Sequence, residues 1–394
     1  MTRVPGVRMF SVLSATLAAG YGVLFTVVGD FRDEYGISES SIGLVIGGGF
    51  LAGFVSQILF APLADRGHAR VTIVLGVVAS VAGLLMMGFG ESLTPIFLGR
   101  AISGLGAGAA KPAIRQIIVV ADPKNLGRNL GRLMAADVFG FALGPAVAAV
   151  LVGPAGLAAP FVVIAILTVL CLPGVLRVKV ERSKTVVRQR LALDLLRSRV
   201  VAGAVVLGAA VYVMIGSFDA LWDVVHEDLG TATWLANGGI TLFALPIIIF
   251  GSTGGRLAQR HGPFRVGAAG LSITAVFMFL YGQLPSGGWI FTFAMVHALV
   301  DGFSIAASGV AVAVAVPEDR QAGAQGLLGA AQALGGGFAA IIIGMVYESY
   351  GRAVAYATGS AMMLVLIVIA VWLGLPYIRT HQHHAECVDR AHHE

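Results

Sequence analysis

The chain has 394 residues, of which 57% are hydrophobic and 12% are charged. Soluble globular proteins carry about a quarter charged residues, so this composition, with a mean hydropathy of +0.87, argues against a soluble protein. The formal net charge of +5 falls largely in short loops, where it indicates membrane orientation and not binding to nucleic acid.

Hydrophobic blocks bounded by Gly, Pro and charged residues predict twelve membrane spans, because each approaches the roughly 20 apolar residues that cross a bilayer. In the first half they lie near 8–30, 42–63, 71–89, 95–120, 130–152 and 156–177. In the second half they lie near 200–223, 233–253, 265–284, 288–315, 322–346 and 353–375. The sequence therefore predicts an all-α polytopic membrane protein built from two six-helix bundles.

A basic polar stretch separates the two sets of spans. We expect residues 1–177 and 200–375 to form the two bundles, residues 178–199 to form a cytoplasmic linker, and residues 376–394 to form a cytoplasmic His-rich tail. Basic loops alternate with acidic ones, which predicts a multi-pass protein of the inner (cytoplasmic) membrane with both termini in the cytoplasm. The tail has no fixed zinc-finger spacing, and we expect no metal site.

Two turns at equivalent positions resemble each other. PLADRGHARV (62–71) follows the second span, and GRLAQRHGPFRV (255–266) follows the eighth. Parallel halves related by an axis along the membrane normal would produce this likeness. The alternative is that short basic turns look alike by chance.

Twelve spans and these turns resemble the major facilitator superfamily, and in particular its twelve-helix drug/proton antiporters. The family's turn pattern G-x-L-x-D-R-x-G-R-R is matched by Leu63, Asp65, Arg66 and Arg70, and again by Gly255, Leu257, Arg260 and Gly262. In the second turn Gln259 replaces the acid. The resemblance implies two pseudo-symmetric bundles, no cofactor, a proton gradient as energy source, and a monomer that carries a small molecule.

The resemblance also implies a conformational latch at these turns. The family role carries over to Asp65, Arg66, Arg70, Asp122 and Arg260. Physically, these charges can pair with one another or with helix ends and so hold one arrangement of the bundles. The alternative is that they only set topology.

Two helix motifs extend the likeness. Arg100 with Gly104, Gly106 and Gly108 resembles the family's fourth-helix pattern R-x-x-x-G-x-G-x-G. Residues 137–150 resemble the fifth-helix antiporter motif G-x-x-x-G-P-x-x-G-G, although Ala148 and Ala149 replace its last glycines. This incomplete motif favours export without establishing it.

Charged side chains within the spans are candidate site residues, because each costs about 2.5–3.5 kcal/mol at the bilayer centre on insertion scales. Arg100, Lys111 and Arg115 lie within roughly 60° of one another on the fourth helix. We expect that face to line a central cavity. Asp137 on the fifth helix lies at a depth where Lys111 can be its counter-ion, which makes Asp137 the candidate proton carrier.

The remaining candidates lie elsewhere in the spans. Asp301 falls near the midplane of the tenth span, with His297 one turn earlier on the same face, an arrangement that fits a proton relay or a substrate contact. The outer and cavity-lining candidates are Asp30, Asp219, Asp223 and Gln332, with Tyr21, Phe218 and Trp222 as aromatic contacts.

The sequence carries no nucleotide-binding P-loop, no H-E-x-x-H and no G-x-S-x-G motif, so it predicts no enzyme. The leading hypothesis is proton-coupled export of a small amphipathic or drug-like compound by alternating access. The second hypothesis is uptake, uniport or exchange of an organic anion, and the third is a non-transporting membrane receptor.

Overall fold

A computed structural model describes residues 6–177 and 191–391, which are almost wholly helical. Apolar runs with few interior breakers form the helices of the first half, and Gly, Pro and polar residues end them. Their bounds are α1 Val7–Tyr35, α2 Glu39–Leu63, α3 Ala69–Gly88, α4 Leu93–Ala121, α5 Leu126–Ala155, α6 Ala158–Leu170 and α7 Leu172–Arg177.

The second half begins with the turn Leu193–Arg197 and continues through six helices. Their bounds are α8 Arg199–Asp228, α9 Thr233–His261, α10 Pro263–Tyr281, α11 Gly287–Ser304, α12 Ala306–Ala315 and α13 Gln321–Ala391. Within α13, Gly351 has a φ of 78°. That left-handed conformation favours glycine and divides α13 into two spans.

These helices account for the twelve predicted spans. The predicted sixth span is the pair α6 and α7, the tenth is α11 and α12, and the last two lie on either side of Gly351 in α13. Nine stretches of the described residues are long and apolar enough to cross a membrane, and two of them each hold two consecutive spans. The helix missing from those stretches is α4, which carries Arg100, Lys111 and Arg115.

Small residues let α4 lie in close contact with its neighbours. A Cβ added at Gly104 would meet the carbonyl oxygen of Gly49 on α2 at 2.3 Å, and one at Gly106 would meet that of Gly76 on α3 at 2.4 Å. The GLGAG segment is therefore a packing motif of the membrane interior. Gly140 does the same on α5, where an added Cβ would meet the carbonyl oxygen of Ala15 on α1 at 2.0 Å.

The two halves meet at the end of the bundle that carries the basic turns, which we call the basic end. There α5 packs on α9, because an added Cβ at Gly255 would lie 1.9 Å from the carbonyl oxygen of Gly127, and one at Gly131 would lie 2.0 Å from that of Gly251. A buried apolar cluster joins both halves at the same level, made of Val119, Leu126, Leu130, Ala258, Ala307, Val310 and Ala313. The basic end is therefore closed.

Candidate functional site

Asp137 lies where α1, α4 and α5 come together. Its Oδ1 is 3.5 Å from the Lys111 Nζ and accepts a hydrogen bond from the Ser14 hydroxyl at 2.5 Å. The Lys111 and Asp137 side chains keep 27% and 17% of their surface exposed, so both retain a route to solvent. The predicted Lys111–Asp137 pairing is confirmed, and Ser14 is a partner that the sequence did not reveal.

Depth places this group well inside the span. Asp137 is 11 residues beyond the start of α5, which corresponds to about 17 Å from the basic end at about 1.5 Å per residue. Lys111 is ten residues before the end of α4, or about 15 Å from the same end. A carboxylate, an ammonium group and a hydroxyl at this depth form a site where one proton can change the net charge.

Arg100 is fully buried at 0% exposure. Its guanidinium lies 3.9 Å from the centre of the Tyr21 ring and 5.5 Å from that of Phe50, on α1 and α2. None of its nitrogens has a hydrogen-bond partner among the described residues. Gly49 makes room for it, since a Cβ there would lie 2.2 Å from the Arg100 Nε. The cation is thus held by aromatic faces and close packing.

His297 and Asp301 form a second polar group, in the core of the second half. The Thr274 hydroxyl donates to Asp301 Oδ1 at 3.1 Å, and the Tyr281 hydroxyl lies 2.8 Å from His297 Nδ1. His297 Nε2 is 3.2 Å from Asp301 Oδ2, and neither atom makes a hydrogen bond among the described residues. Both side chains are fully buried, and the rings of Phe218, Phe243 and Phe277 surround the imidazole.

Asp65 joins the two halves at the basic end. It lies in the turn Ala64–His68 after α2, with 1% exposure. Its carboxylate accepts hydrogen bonds from the backbone N–H groups of Ala322 and Gly323, at 2.8 and 2.7 Å, at the start of α13. The Gln116 amide donates to it at 3.0 Å. We call this group the Asp65 latch; its carboxyl oxygens satisfy the unpaired donors of a helix N-terminus. Burial raises the pKa of Asp65 to about 7, although the N–H groups of Gly323 and Ala322 act to lower it.

Gln259 joins the halves at the equivalent place. Its Oε1 accepts from the Gly127 N–H at 2.8 Å, at the start of α5. Its Nε2 lies within hydrogen-bond distance of the carbonyl oxygens of Pro123 and Lys124, at 3.1 and 3.2 Å. We call this group the Gln259 latch. Sequence reasoning missed it because Gln259 was a departure from the family pattern.

The other residues assigned to the latch by resemblance lie apart from it. Arg66 and Arg260 are exposed, and in the described part of the chain neither has a hydrogen bond or ion pair to the opposite half. Asp122 accepts hydrogen bonds from Asn125 and Asn129 of its own half. Arg70 is half-buried beside the Asp65 turn.

The outer candidates are dispersed. Asp30 lies on an exposed part of α1, which runs five residues beyond the predicted span. Asp219 and Asp223 lie on α8, and their side chains fall outside the described part of the structure. Gln332 is buried, with its Cγ 3.6 Å from where a Cβ at Gly208 would lie.

The family model for the Major Facilitator Superfamily matches residues 10–240 and 220–387. The chain belongs to this superfamily. The quinolone resistance protein NorA of Staphylococcus aureus is 26% identical over 133 residues, which cover 32% of this chain and 33% of NorA. An MFS-type transporter of Methanocaldococcus jannaschii is 26% identical over 151 residues, covering 38% of this chain and 39% of that one. These matches thus span about a third of the length of the curated relatives.

Solved structures of the superfamily share the fold. The proton:xylose symporter XylE superposes with a TM-score of 0.76 at 15% identity, covering 94% of this chain and 95% of that one. The human organic anion transporter MFSD10 superposes with a TM-score of 0.74 at 16% identity, covering 93% and 99%. The superfamily fold of twelve helices in two bundles is therefore established, as the sequence predicted.

Proposed function

We propose that this protein is a proton-coupled exporter of a small amphipathic or drug-like compound, working as a monomer by alternating access. Residues 1–177 and 200–375 are the two moving bodies, residues 178–199 link them, and residues 376–394 form a tail. Bundles that rock about a central site are the working principle of this fold.

The observation that carries the proposal is the group of Asp137, Lys111 and Ser14. The Asp137 carboxylate lies 3.5 Å from the Lys111 ammonium group and accepts a hydrogen bond from the Ser14 hydroxyl at 2.5 Å. When the carboxylate takes up a proton it loses its charge, and with it the attraction for Lys111 and for any donor group of a substrate bound there. Proton uptake and substrate release are thereby coupled through one side chain.

The partial exposure of the pair supports this role over a purely structural one. Proton exchange requires that water reach the carboxylate, whereas a fully buried pair would be sealed from water and would carry the desolvation cost of both charges. The Lys111 and Asp137 side chains instead remain 27% and 17% exposed. The similarity to the quinolone resistance protein NorA also supports export.

The closed basic end is assigned to the cytoplasmic side of the inner membrane. Arg66, Lys124, Arg256 and the start of α8 all lie at that end, and basic residues in short loops stay in the cytoplasm. Both termini lie on the same side in this arrangement. The structure then corresponds to a state closed towards the cytoplasm.

Purified protein in proteoliposomes tests the coupling. With a fluorescent pH indicator inside the vesicles, we expect addition of a transported compound to cause proton flux in the opposite direction. Asp137→Asn keeps the size of the side chain and is expected to abolish proton-driven accumulation while leaving exchange down the substrate gradient. Full proton-driven accumulation by Asp137→Asn would remove Asp137 as the coupling residue.

The matched control is Asp33→Asn, which neutralises an exposed carboxylate paired with Arg32 at the other end of the protein. It is expected to transport normally. Because thermal unfolding in detergent reports folding separately, a loss of transport with unchanged unfolding temperature identifies a functional defect.

A second candidate function is uptake, uniport or exchange of an organic anion. The cation Lys111 on α4 favours it, since its side chain is 27% exposed and offers charge to an anionic group, whereas Arg100 is fully buried. Anion movement that is indifferent to the pH gradient and lost in Lys111→Ala would support this alternative over the first. Binding of a ligand without any flux would instead indicate a receptor.

A further inference from the structure

The second half has a groove on its surface at the basic end. It has a volume of about 630 Å³ and lies between α9, α10 and α11. Since α10 packs mainly on α13 and α11 of its own half, the groove faces away from the first half. Leu257 and Ile273 on its wall are 38% and 49% exposed, as expected of side chains that face lipid.

The mouth of the groove is basic. Arg260 and His261 end α9, Arg265 lies in the first turn of α10, and all three are exposed. None of the described residues that line the groove is acidic. Among the described residues, Arg260 and Arg265 have no ion pair, and the His261 ring lies 3.3 Å from the carbonyl oxygen of Leu257 in its own helix. Two exposed guanidinium groups therefore lie at the mouth of the groove.

The floor of the groove is apolar and continuous. Val266, Ala269 and Ile273 recur at helical spacing on α10, and Val300 and Phe303 face them from α11. The apolar floor of the groove, which we call the slot, extends for about 12 Å along α10 from Arg265 to Ile273, at about 1.5 Å per residue. Ser304 leaves no open polar group here, because its hydroxyl donates to the Val300 carbonyl.

We propose that this groove is a binding site for an anionic phospholipid. Arg260 and Arg265 hold the headgroup phosphate, and one acyl chain lies along α10 between Val266 and Ile273. Cations at headgroup depth attract anionic lipid, and Arg binds phosphate with two parallel donors. A soluble anion would use only the mouth, whereas a phospholipid uses both the basic mouth and the apolar floor.

The site lies on the same helix end as the Gln259 latch. Gln259 and Arg260 are consecutive residues of α9, about 100° apart around its axis, and they face different neighbours: Gln259 contacts the start of α5 and Arg260 lines the groove. A bound lipid therefore stabilises the last turn of α9 in the position that the latch requires. This inference depends on the membrane fold alone and not on proton coupling.

Native mass spectrometry of the whole protein tests the site, with phosphatidylglycerol and phosphatidylcholine of identical acyl chains as probes. We expect preferential retention of phosphatidylglycerol, and about 25-fold weaker binding in the Arg260→Gln/Arg265→Gln double variant, at roughly fivefold for each arginine. Equal retention of the two lipids would overturn the proposal. So would equal phosphatidylglycerol binding by the double variant and the unaltered protein.

Two further variants make the result specific. Arg177→Gln/Arg197→Gln removes two exposed arginines at the basic end outside the groove, and it is expected to retain phosphatidylglycerol normally. Ala269→Trp fills the apolar slot without changing charge, and it is expected to weaken phosphatidylglycerol while leaving binding of inorganic phosphate unchanged. If Ala269→Trp binds the lipid normally, the slot holds no acyl chain and the proposal fails.

Discussion

The Asp65 latch and the Gln259 latch occupy equivalent positions in the two halves but use different chemistry. Asp65 follows α2 and caps the start of α13, whereas Gln259 near the end of α9 caps the start of α5. Asp65 is buried, its carboxyl oxygens accept hydrogen bonds, and burial raises its pKa to about 7. Gln259 is half-buried and neutral, accepts one hydrogen bond and has two carbonyl oxygens within reach of its amide.

Either a carboxylate or an amide can therefore cap the start of a helix at this position. A carboxylate gains from the helix dipole and makes hydrogen bonds roughly twice as strong as neutral ones. An amide forgoes the charge but satisfies carbonyl oxygens that a carboxylate would repel. The Asp65 latch is therefore expected to hold the closed state more strongly than the Gln259 latch.

The largest expected effect comes from Asp65→Ala. The substitution leaves the N–H groups of Ala322 and Gly323 without an acceptor in a buried site, and we expect it to destabilise the closed state by roughly 3 kcal/mol. Asp65→Asn is expected to cost about half as much, because its Oδ1 still accepts from one N–H. Glu91→Ala, which removes an exposed carboxylate at the opposite end, is the control and is expected to have no effect.

Spin labels at positions 66 and 256, in a background with Cys171 and Cys387 replaced by Ser, measure this opening as a distance between the halves. Both labelled sites are exposed and lie in different halves. The closed distance is expected to give way to a longer one in Asp65→Ala. An unchanged distance distribution would remove Asp65 as the principal restraint on the closed state.

Gln259→Ala is expected to destabilise the closed state less, by about 1 kcal/mol, because partly exposed neutral hydrogen bonds contribute little net stability. The same spin-label distance measures this opening. Gln259→Glu sharpens the comparison. It keeps an acceptor for the Gly127 N–H but turns a carboxylate oxygen towards the Pro123 and Lys124 carbonyls, and we expect it to open the protein more than Gln259→Ala. A greater opening by Gln259→Ala than by Asp65→Ala would contradict our ranking.

The smallest expected effect comes from the ion pair of Arg320 and Asp194, which lies next to the start of α13 in the Asp65 latch. Arg320 precedes α13 and donates to Asp194 at 2.6 Å, and this hydrogen bond holds the pKa of Asp194 below its ordinary value. A lowered pKa stabilises the folded protein above the ordinary Asp value of about 3.9, and that stabilisation is lost as pH falls through the lowered pKa.

Thermal unfolding in detergent at several pH values checks this contribution. Asp194→Asn is expected to be slightly less stable than the unaltered protein at pH 6, and the difference is expected to shrink towards pH 3. A difference that stays constant over this range would mean that ionisation of Asp194 does not contribute.

The sequence was sufficient for the twelve spans and for the pairing of Lys111 with Asp137. Both follow from one-dimensional quantities, namely the length of apolar runs and the depth of a charge along a helix. The likeness of the two turns also made Asp65 a candidate. The sequence could indicate this residue because two of its partners are backbone N–H groups, which every residue at a helix start provides except proline.

The sequence could not supply contacts that depend on how two helices are rotated against each other. Ser14 reaches Asp137 and Tyr281 reaches His297 only because of the register of α1 on α5 and of α10 on α11. Gln259 was overlooked for a different reason. Pattern matching counted the missing acid as a loss, although an amide both donates and accepts and suits a site lined by N–H and C=O groups.

The two aromatic rings that contact Arg100 have a consequence for insertion of the protein into the membrane. Tyr21 and Phe50 belong to α1 and α2, which the ribosome completes before α4. Every contact of the Arg100 guanidinium named above, with Tyr21, Phe50 and Gly49, therefore comes from helices that precede α4 in the chain. The order of the helices thus allows this arginine to meet its partners without any helix that follows α4.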